Sequence, residues 1–216
     1  MLYLLRHGET DWNCEPTRCS GWQDVPLNET GRQQAHEEGR GLVGKGINLI
    51  ITSHLSRAHE TAVIVRAELQ AAQRPPSGRM GRVSYFAPPI ELVVDERLAE
   101  TRRGEWEGLE FKDIKARDKK AYNEYRKNPE TFRFPGGESF AEQQVRVLEA
   151  VRDAARSGRV ALLVTHGGSL RLFRAFDEGC GAGCFHDLRV ENAALLEVPT
   201  EGLAERIDAF LAEAPA

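Results

Sequence analysis

The chain has 216 residues, 41% of them hydrophobic and 29% charged, with a formal net charge of −4. That length suits one domain with at most a modest insertion and enough material for a full core. The slight acidity offers no global basic field for nucleic acid or an anionic membrane, no apolar run approaches a membrane span, and Met1 to Arg6 lacks a signal-peptide layout; a cytoplasmic protein is expected.

Leu2 to Leu5 is an apolar run ending at Arg6-His7-Gly8, and it reads as a buried strand that delivers polar residues at its C-terminal end. Asn28 to Val43 follows a turn at Pro26 and carries helix formers, although Gly31, Gly39 and Gly41 weaken that helix. Asn48 to Thr52 is a second buried strand. Ser56 is placed to cap a helix reaching about Leu69, with Ala58, Ala62, Val65 and Leu69 on its apolar face. Residues 73–89 hold four prolines and little periodicity, so a loop insertion is expected there. Ile90 to Val94 is a third strand. Glu110 to about Arg126 reads as a charged helix and Pro129 to Gly137 as a loop, together a helical cap segment near 110–135. Ser139, with Glu142 three residues on, has the capping-box pattern for a helix reaching Arg156. Val160 to Thr165 is the most apolar strand and ends at His166-Gly167-Gly168. A helix from Ser169 to about Phe176, a strand from Ala193 to Val198 and a helix from Leu203 to Leu211 close the chain.

Strands alternating with helices predict an α/β protein: a single three-layer α/β/α domain over residues 1–216 with a largely parallel central sheet. Ligands of such sheets sit outside the carboxyl ends of the strands. Two strands that end there in His-Gly point to one shared site.

Phosphoryl transfer without a metal needs a nucleophile, cations on the equatorial oxygens and an acid for the leaving oxygen. A neutral imidazole serves as nucleophile, and arginine forks bind phosphate. His7 with Arg6 offers the first pair, and Gly8 beside it would let the backbone approach an anion closely. Arg57, in the first turn of a helix after a strand, adds a cation where a helix N-terminus already favours an anion. The plainer readings are a satisfied strand-end histidine and a surface arginine.

Leu4 to Asn13 resembles the signature of the histidine phosphatase superfamily, which also contains the cofactor-dependent phosphoglycerate mutases. Thr52 to Ala62 is similar to its second motif, and Leu98-Ala99-Glu100 with Gly104-Glu105-Trp106-Glu107-Gly108 to its third. Val164 to Arg171 matches its fourth. The resemblance implies a phosphoglycerate mutase-like fold and a phosphohistidine on His7. Arg6, Arg57, His166 and Asn13 would hold the phosphoryl group, with the Gly167 backbone contributing, and Glu100 would be the acid. Ser20 and Gly21, with Arg18, fall in a loop where relatives touch substrate. Glu105 and Glu107 rank behind Glu100 as acids, and Trp22 reads as packing. Asn192 is placed to approach the site; His36, His54, His59 and His186 have no partner visible in sequence.

After the acid, mutases carry a Glu-Arg-His-Tyr-Gly run. This chain has Glu100-Thr101-Arg102-Arg103-Gly104, which favours hydrolysis. Arg102 and Arg103 are candidates for a second anionic group of the substrate, or else two solvated arginines. The expectation is a metal-independent phosphomonoester hydrolase acting on a small phosphorylated metabolite. It needs no cofactor, binds neither nucleic acid nor membrane, and is compatible with a homodimer. The alternatives are a phosphoglycerate mutase and a non-catalytic phosphate-binding regulatory module. Cys14, Cys19, Cys180 and Cys184 lack the spacing of a zinc ribbon; free thiols in a reducing compartment are expected ahead of a disulfide or a metal site.

Overall fold

The computed structural model describes residues 1–14, 16–73 and 88–213. Among the described residues five strands form one sheet: β1 (Leu2–Arg6), β2 (Leu49–Thr52), β3 (Glu91–Val94), β4 (Ala161–Thr165) and β5 (Leu195–Val198). Their order is β3-β2-β4-β1-β5. β5 runs antiparallel to β1, and the other neighbours are parallel. The helices are α1 (Glu29–Gly41), α2 (Ser56–Ala72), α3 (Phe111–Arg117), α4 (Lys119–Lys127), α5 (Phe140–Arg156), α6 (Gly167–Asp177) and α7 (Leu203–Glu213).

Side chains alternate along each strand, so a strand buried on both faces is apolar throughout. Tyr3, Leu5, Ile50, Leu162 and Val164 pack on one face against Ala58, Ala62, Val65 and Leu69 of α2. Leu2, Leu4, Ala161 and Leu163 pack on the other against α5, α6 and α7 through Val147, Val151, Phe173 and Ile207. This is the expected α/β/α arrangement. A third cluster, with Trp106, Tyr125, Phe134, Phe140 and Phe185, gathers α3, α4 and the chain leading into α5.

Several boundaries differ from expectation. Ser56 is already helical; Leu55 stands at the cap position and offers no side-chain bond. The Asp24 carboxylate instead accepts the Ser56 N–H at 2.8 Å, a cap supplied by a distant segment. The helix expected over 110–126 is two, broken at Asp118 (φ −140°), whose side chain caps α4 by accepting the Ala121 N–H. β5 starts at Leu195 because Ala193 adopts φ 54° and turns the chain. Cys180 and Cys184 form a disulfide, contrary to the free-thiol expectation, because the turn over Gly181–Cys184 brings their Cα atoms to 6.0 Å. Cys14 and Cys19 are free. Of the insertion expected at 73–89, residues 74–87 lie outside the described residues. Among the described residues no helix is long and apolar enough to cross a membrane.

Candidate active site

Strand register builds the site. Arg6 pairs with Thr165 and Thr52 with Val164, so β1, β2 and β4 end level. His7, Ser53 and His166 are the next residues along each, and the His7 N–H donates to the Thr165 carbonyl at 2.9 Å.

The His7 ring is 4% exposed. Its Nδ1 lies 2.6 Å from the Gly8 carbonyl oxygen. A carbonyl only accepts, so this bond assigns the proton to Nδ1 and leaves the Nε2 lone pair free. His166 stands edge-on at 5.1 Å between ring centroids, with Nε2 2.9 Å from Ser53 Oγ. Burial, then the charges of Arg57 and Arg6, hold His7 well below the usual histidine range. Burial, Arg57 and His7 do the same to His166. Both rings are neutral at pH 7 in the resting site.

A cavity of 170 Å³ opens on His7. Arg6, Asn13, Arg57 and Gly167 line it, as do Ser20 and Gly21. Arg57 is 1% exposed, and its fork is fixed by donation to the Gln23 carbonyl at 2.9 Å and the Gly21 carbonyl at 2.8 Å. Arg6 donates through Nη1 to the Val190 carbonyl at 2.7 Å. Burial lowers Arg6 to about 10 and lowers Arg57 as well, which still leaves both cationic at neutral pH. Arg6 Nε, Asn13 Nδ2 and Arg171 Nε of the lining, and His166 Nδ1 beside His7, are buried and have no hydrogen-bond partner among the described residues. An unmet buried polar group costs about 1–3 kcal/mol. The oxygens of a bound oxyanion would satisfy the donors among them.

Glu100 is the carboxylate of the cavity among the described residues. Its Oε1 accepts the Thr101 N–H at 2.8 Å and its Oε2 the Gly168 N–H at 3.1 Å, in the first turn of α6. Burial pushes its pKa up, but Arg103, those two N–H groups and Arg57 outweigh it and hold the acid at about 2. Trp22 donates its indole N–H to the Glu100 carbonyl at 2.7 Å, and Arg146 donates to the same oxygen at 2.9 Å. Trp22, expected as packing, thus also fixes the acid's backbone. Glu107 accepts the N–H groups of Trp22 and Arg103, and neither it nor Glu105 lines the cavity.

The two adjacent arginines separate. Arg102 is exposed, outside the lining and 5.8 Å from the Trp22 ring centroid, whereas Arg103 lines the cavity. Gly104 at φ +54° turns the chain there, and Glu138 pins the Arg102 N–H at 2.7 Å. Arg18 lines the cavity and pairs with Glu110 at 3.6 Å; Asn192 reaches Asn13 at 3.3 Å. His36 pairs with Glu68, His54 lies edge-on to Trp22, and His186 meets the Tyr125 carbonyl. Arg171 and Tyr125 also line the cavity, and sequence reasoning gave them no role. Arg171 was within reach of it, because it lies four residues past Gly167 and so on the same helix face. Tyr125 comes from the cap, where no local pattern marks it.

A family profile described as histidine phosphatase superfamily (branch 1) matches residues 2–77 and 82–211. The chain is similar to a candidate phosphoserine phosphatase 2 of Hydrogenobacter thermophilus, 30% identical over 93% of this chain and 90% of that one. It is also similar to a 2,3-bisphosphoglycerate-dependent phosphoglycerate mutase of a Methylobacterium species, 33% identical over 79% of this chain and 77% of that one. Among solved structures, Bacillus stearothermophilus YhfR superposes with a TM-score of 0.75 at 35% identity, covering 92% of this chain and 91% of that one. The strand-end histidines, the arginines around them and these likenesses agree: the chain is an enzyme of the histidine phosphatase superfamily.

Proposed function

We propose that this protein is a metal-independent phosphomonoester hydrolase that works through a phosphohistidine on His7, with a small phosphorylated metabolite as substrate. The observation that carries the reading is the His7 ring: neutral, tied at Nδ1 to the Gly8 carbonyl, with Nε2 free beside Arg6 and Arg57. Nε2 attacks phosphorus and the bond to the alcohol oxygen breaks. The Nδ1–H to Gly8 then supports the positive charge that develops on the ring. Glu100 gives its proton to the leaving alkoxide. A water then attacks the phosphohistidine, passes a proton back to Glu100 and releases inorganic phosphate. The resting Glu100 is ionised, so it gains its proton with the substrate, as the phosphoryl charge offsets the field of Arg103 and Arg57. Among the described residues that line the cavity, one carboxylate stands with several guanidinium groups, which suits an anion and not a cation.

The test is hydrolysis of an aryl phosphate in excess chelator, with rapid quench. Turnover should persist, acid-labile and base-stable phosphate should appear on the protein, and His7→Ala should remove both with the fold intact. Strict dependence on a divalent cation, or no phosphoenzyme under rapid quench, would overturn the mechanism. The likeness to a mutase keeps a second reading in view. Vigorous bisphosphoglycerate-stimulated transfer between phosphoglycerates would favour it, and absence of both activities would favour a non-catalytic module.

A further inference from the structure

Behind Glu100 lies a polar network with no part in binding the phosphoryl group. Thr101, Gln143 of α5 and Ser169 of α6 are all fully buried. α5 otherwise presents apolar side chains to the core, among them Val147, Leu148 and Val151. An amide in that row costs free energy unless each of its polar atoms is met. The Gln143 amide oxygen accepts the Thr101 hydroxyl. The amide nitrogen donates to Ser169 Oγ at 3.1 Å and lies 3.4 Å from Glu100 Oε1, two acceptors for its two hydrogens. Ser169 donates its own hydrogen to the Ala99 carbonyl at 3.3 Å, so toward Gln143 it only accepts. The opposite orientation of the amide would also set its oxygen against the Glu100 carboxylate. One orientation therefore satisfies the network, with the nitrogen toward the acid.

The two carboxylate oxygens are thereby made unequal. Oε1 receives the Thr101 N–H at 2.8 Å and the Gln143 N–H, which occupies both of its lone pairs. The Thr101 hydroxyl is also near Oε1, at 3.2 Å, but its one hydrogen goes to Gln143. Among the described residues Oε2 receives one bond, from the Gly168 N–H at 3.1 Å, and keeps a lone pair free. Trp22 and Arg146 anchor the Glu100 carbonyl, and Gln143 anchors the other end of the residue.

We infer that Gln143 is a positioning residue for the acid: it occupies Glu100 Oε1, so that the proton passed to the leaving oxygen rides on Oε2. The inference rests on the phosphatase reading above. Thr101 acts at one remove, by setting the amide. In the transfer the Oε2–H bond breaks as the bond from phosphorus to the alcohol oxygen breaks. The proton joins that oxygen, and the carboxylate left behind keeps the bonds of the resting site. Without Gln143 the carboxyl group is free to turn and to take its proton on either oxygen. A reacting group displaced by about 1 Å loses on the order of 100-fold in rate.

The test is the dependence on leaving group. Ethyl phosphate releases an alkoxide that needs a proton in the transition state, whereas para-nitrophenyl phosphate releases a stabilised phenolate that needs almost none. The kcat/KM of each ends at alcohol release, so the shared hydrolysis of the phosphohistidine does not enter. Gln143→Met keeps the volume and removes both polar atoms. Its loss on ethyl phosphate should exceed its loss on para-nitrophenyl phosphate by about 10- to 100-fold. Losses equal within about threefold would show that Gln143 only packs, and overturn the inference while leaving the phosphatase reading intact. In a Glu100→Gln background the same substitution should move the ratio by less than about threefold, because the acid it positions is gone. A further fall there also overturns the inference. If Gln143→Met does not fold, Thr101→Val decides by the same ratio, since it removes the hydroxyl that sets the amide and keeps the backbone N–H. If the wild type hydrolyses neither compound, the phosphatase reading fails and the inference falls with it.

Discussion

A carboxyl group held at about 2 is a poor proton donor at neutral pH, yet the proposed reaction needs one from Glu100. The same depression has a consequence for stability. Glu100 binds protons in the unfolded chain near its ordinary value of 4.5 but in the fold only near 2. Its stabilising contribution is therefore complete above pH 4.5 and is lost as pH falls toward 2, by an amount of order 3 kcal/mol. Denaturant midpoints of the wild type and Glu100→Gln across this window should converge as the pH falls. The buried neutral histidines also lose stability on acidification, but they do so in both proteins, and parallel curves would show that Glu100 carries no such linkage. At this scale the convergence of His7, Arg6, Arg57, Glu100 and His166 on one place was legible because each lies in a contiguous sequence motif. Which of Arg102 and Arg103 faces inward was not legible, since it depends on the turn at Gly104 and on contacts from residues 135–138.

Glycines show how elements set the site. Gly8 reads in sequence as freedom for the backbone to approach an anion. The structure gives a different reason: a Cβ there would lie 2.3 Å from the Gly31 carbonyl oxygen. Gly31 and Gly39 look like weak points in α1. They are contact points, one against the Glu9 backbone and the other against Glu68 and Val65 of α2. Helix propensity was thus overridden by close packing. Gly168 is the case with a catalytic reading, because a Cβ there would sit 2.1 Å from Glu100 Oε1. Gly168→Ala should lower kcat/KM for an aryl phosphate by roughly 100-fold with little loss of thermal stability, since the backbone is helical and the obstructed atom is a side-chain oxygen. Activity within about threefold of wild type would show that α6 does not position the acid. The capping box at Ser139 and Glu142 was readable and is present, because both partners lie within one turn of sequence. The Asp24 cap on α2 was not, because its donor and acceptor are far apart in the chain.

The layered architecture follows from strand–helix alternation and was legible for that reason. The aromatic cluster over Trp106, Tyr125, Phe134 and Phe185 was not, because its members come from separate segments without a shared period. The Cys180–Cys184 disulfide belongs to the same scale. It closes a short loop, with a sequence separation of 4, and such a loop stabilises a fold by about 2 kcal/mol. Reduction, or Cys180→Ser, should lower the melting temperature by about 4–8 °C in calorimetry; an unchanged transition would mean that the bond bears no load. The position of β1 in the sheet has a further consequence, in the order of events during folding. β1 lies between β4 and β5, and its register fixes Arg6 against Thr165. β1 therefore waits for β4, far along the chain, before it pairs. Pairing over so long a separation is slow and leaves an apolar strand exposed meanwhile. His7 and His166 meet only when that pairing closes, so a chain whose β4 has not yet left the ribosome holds no catalytic site.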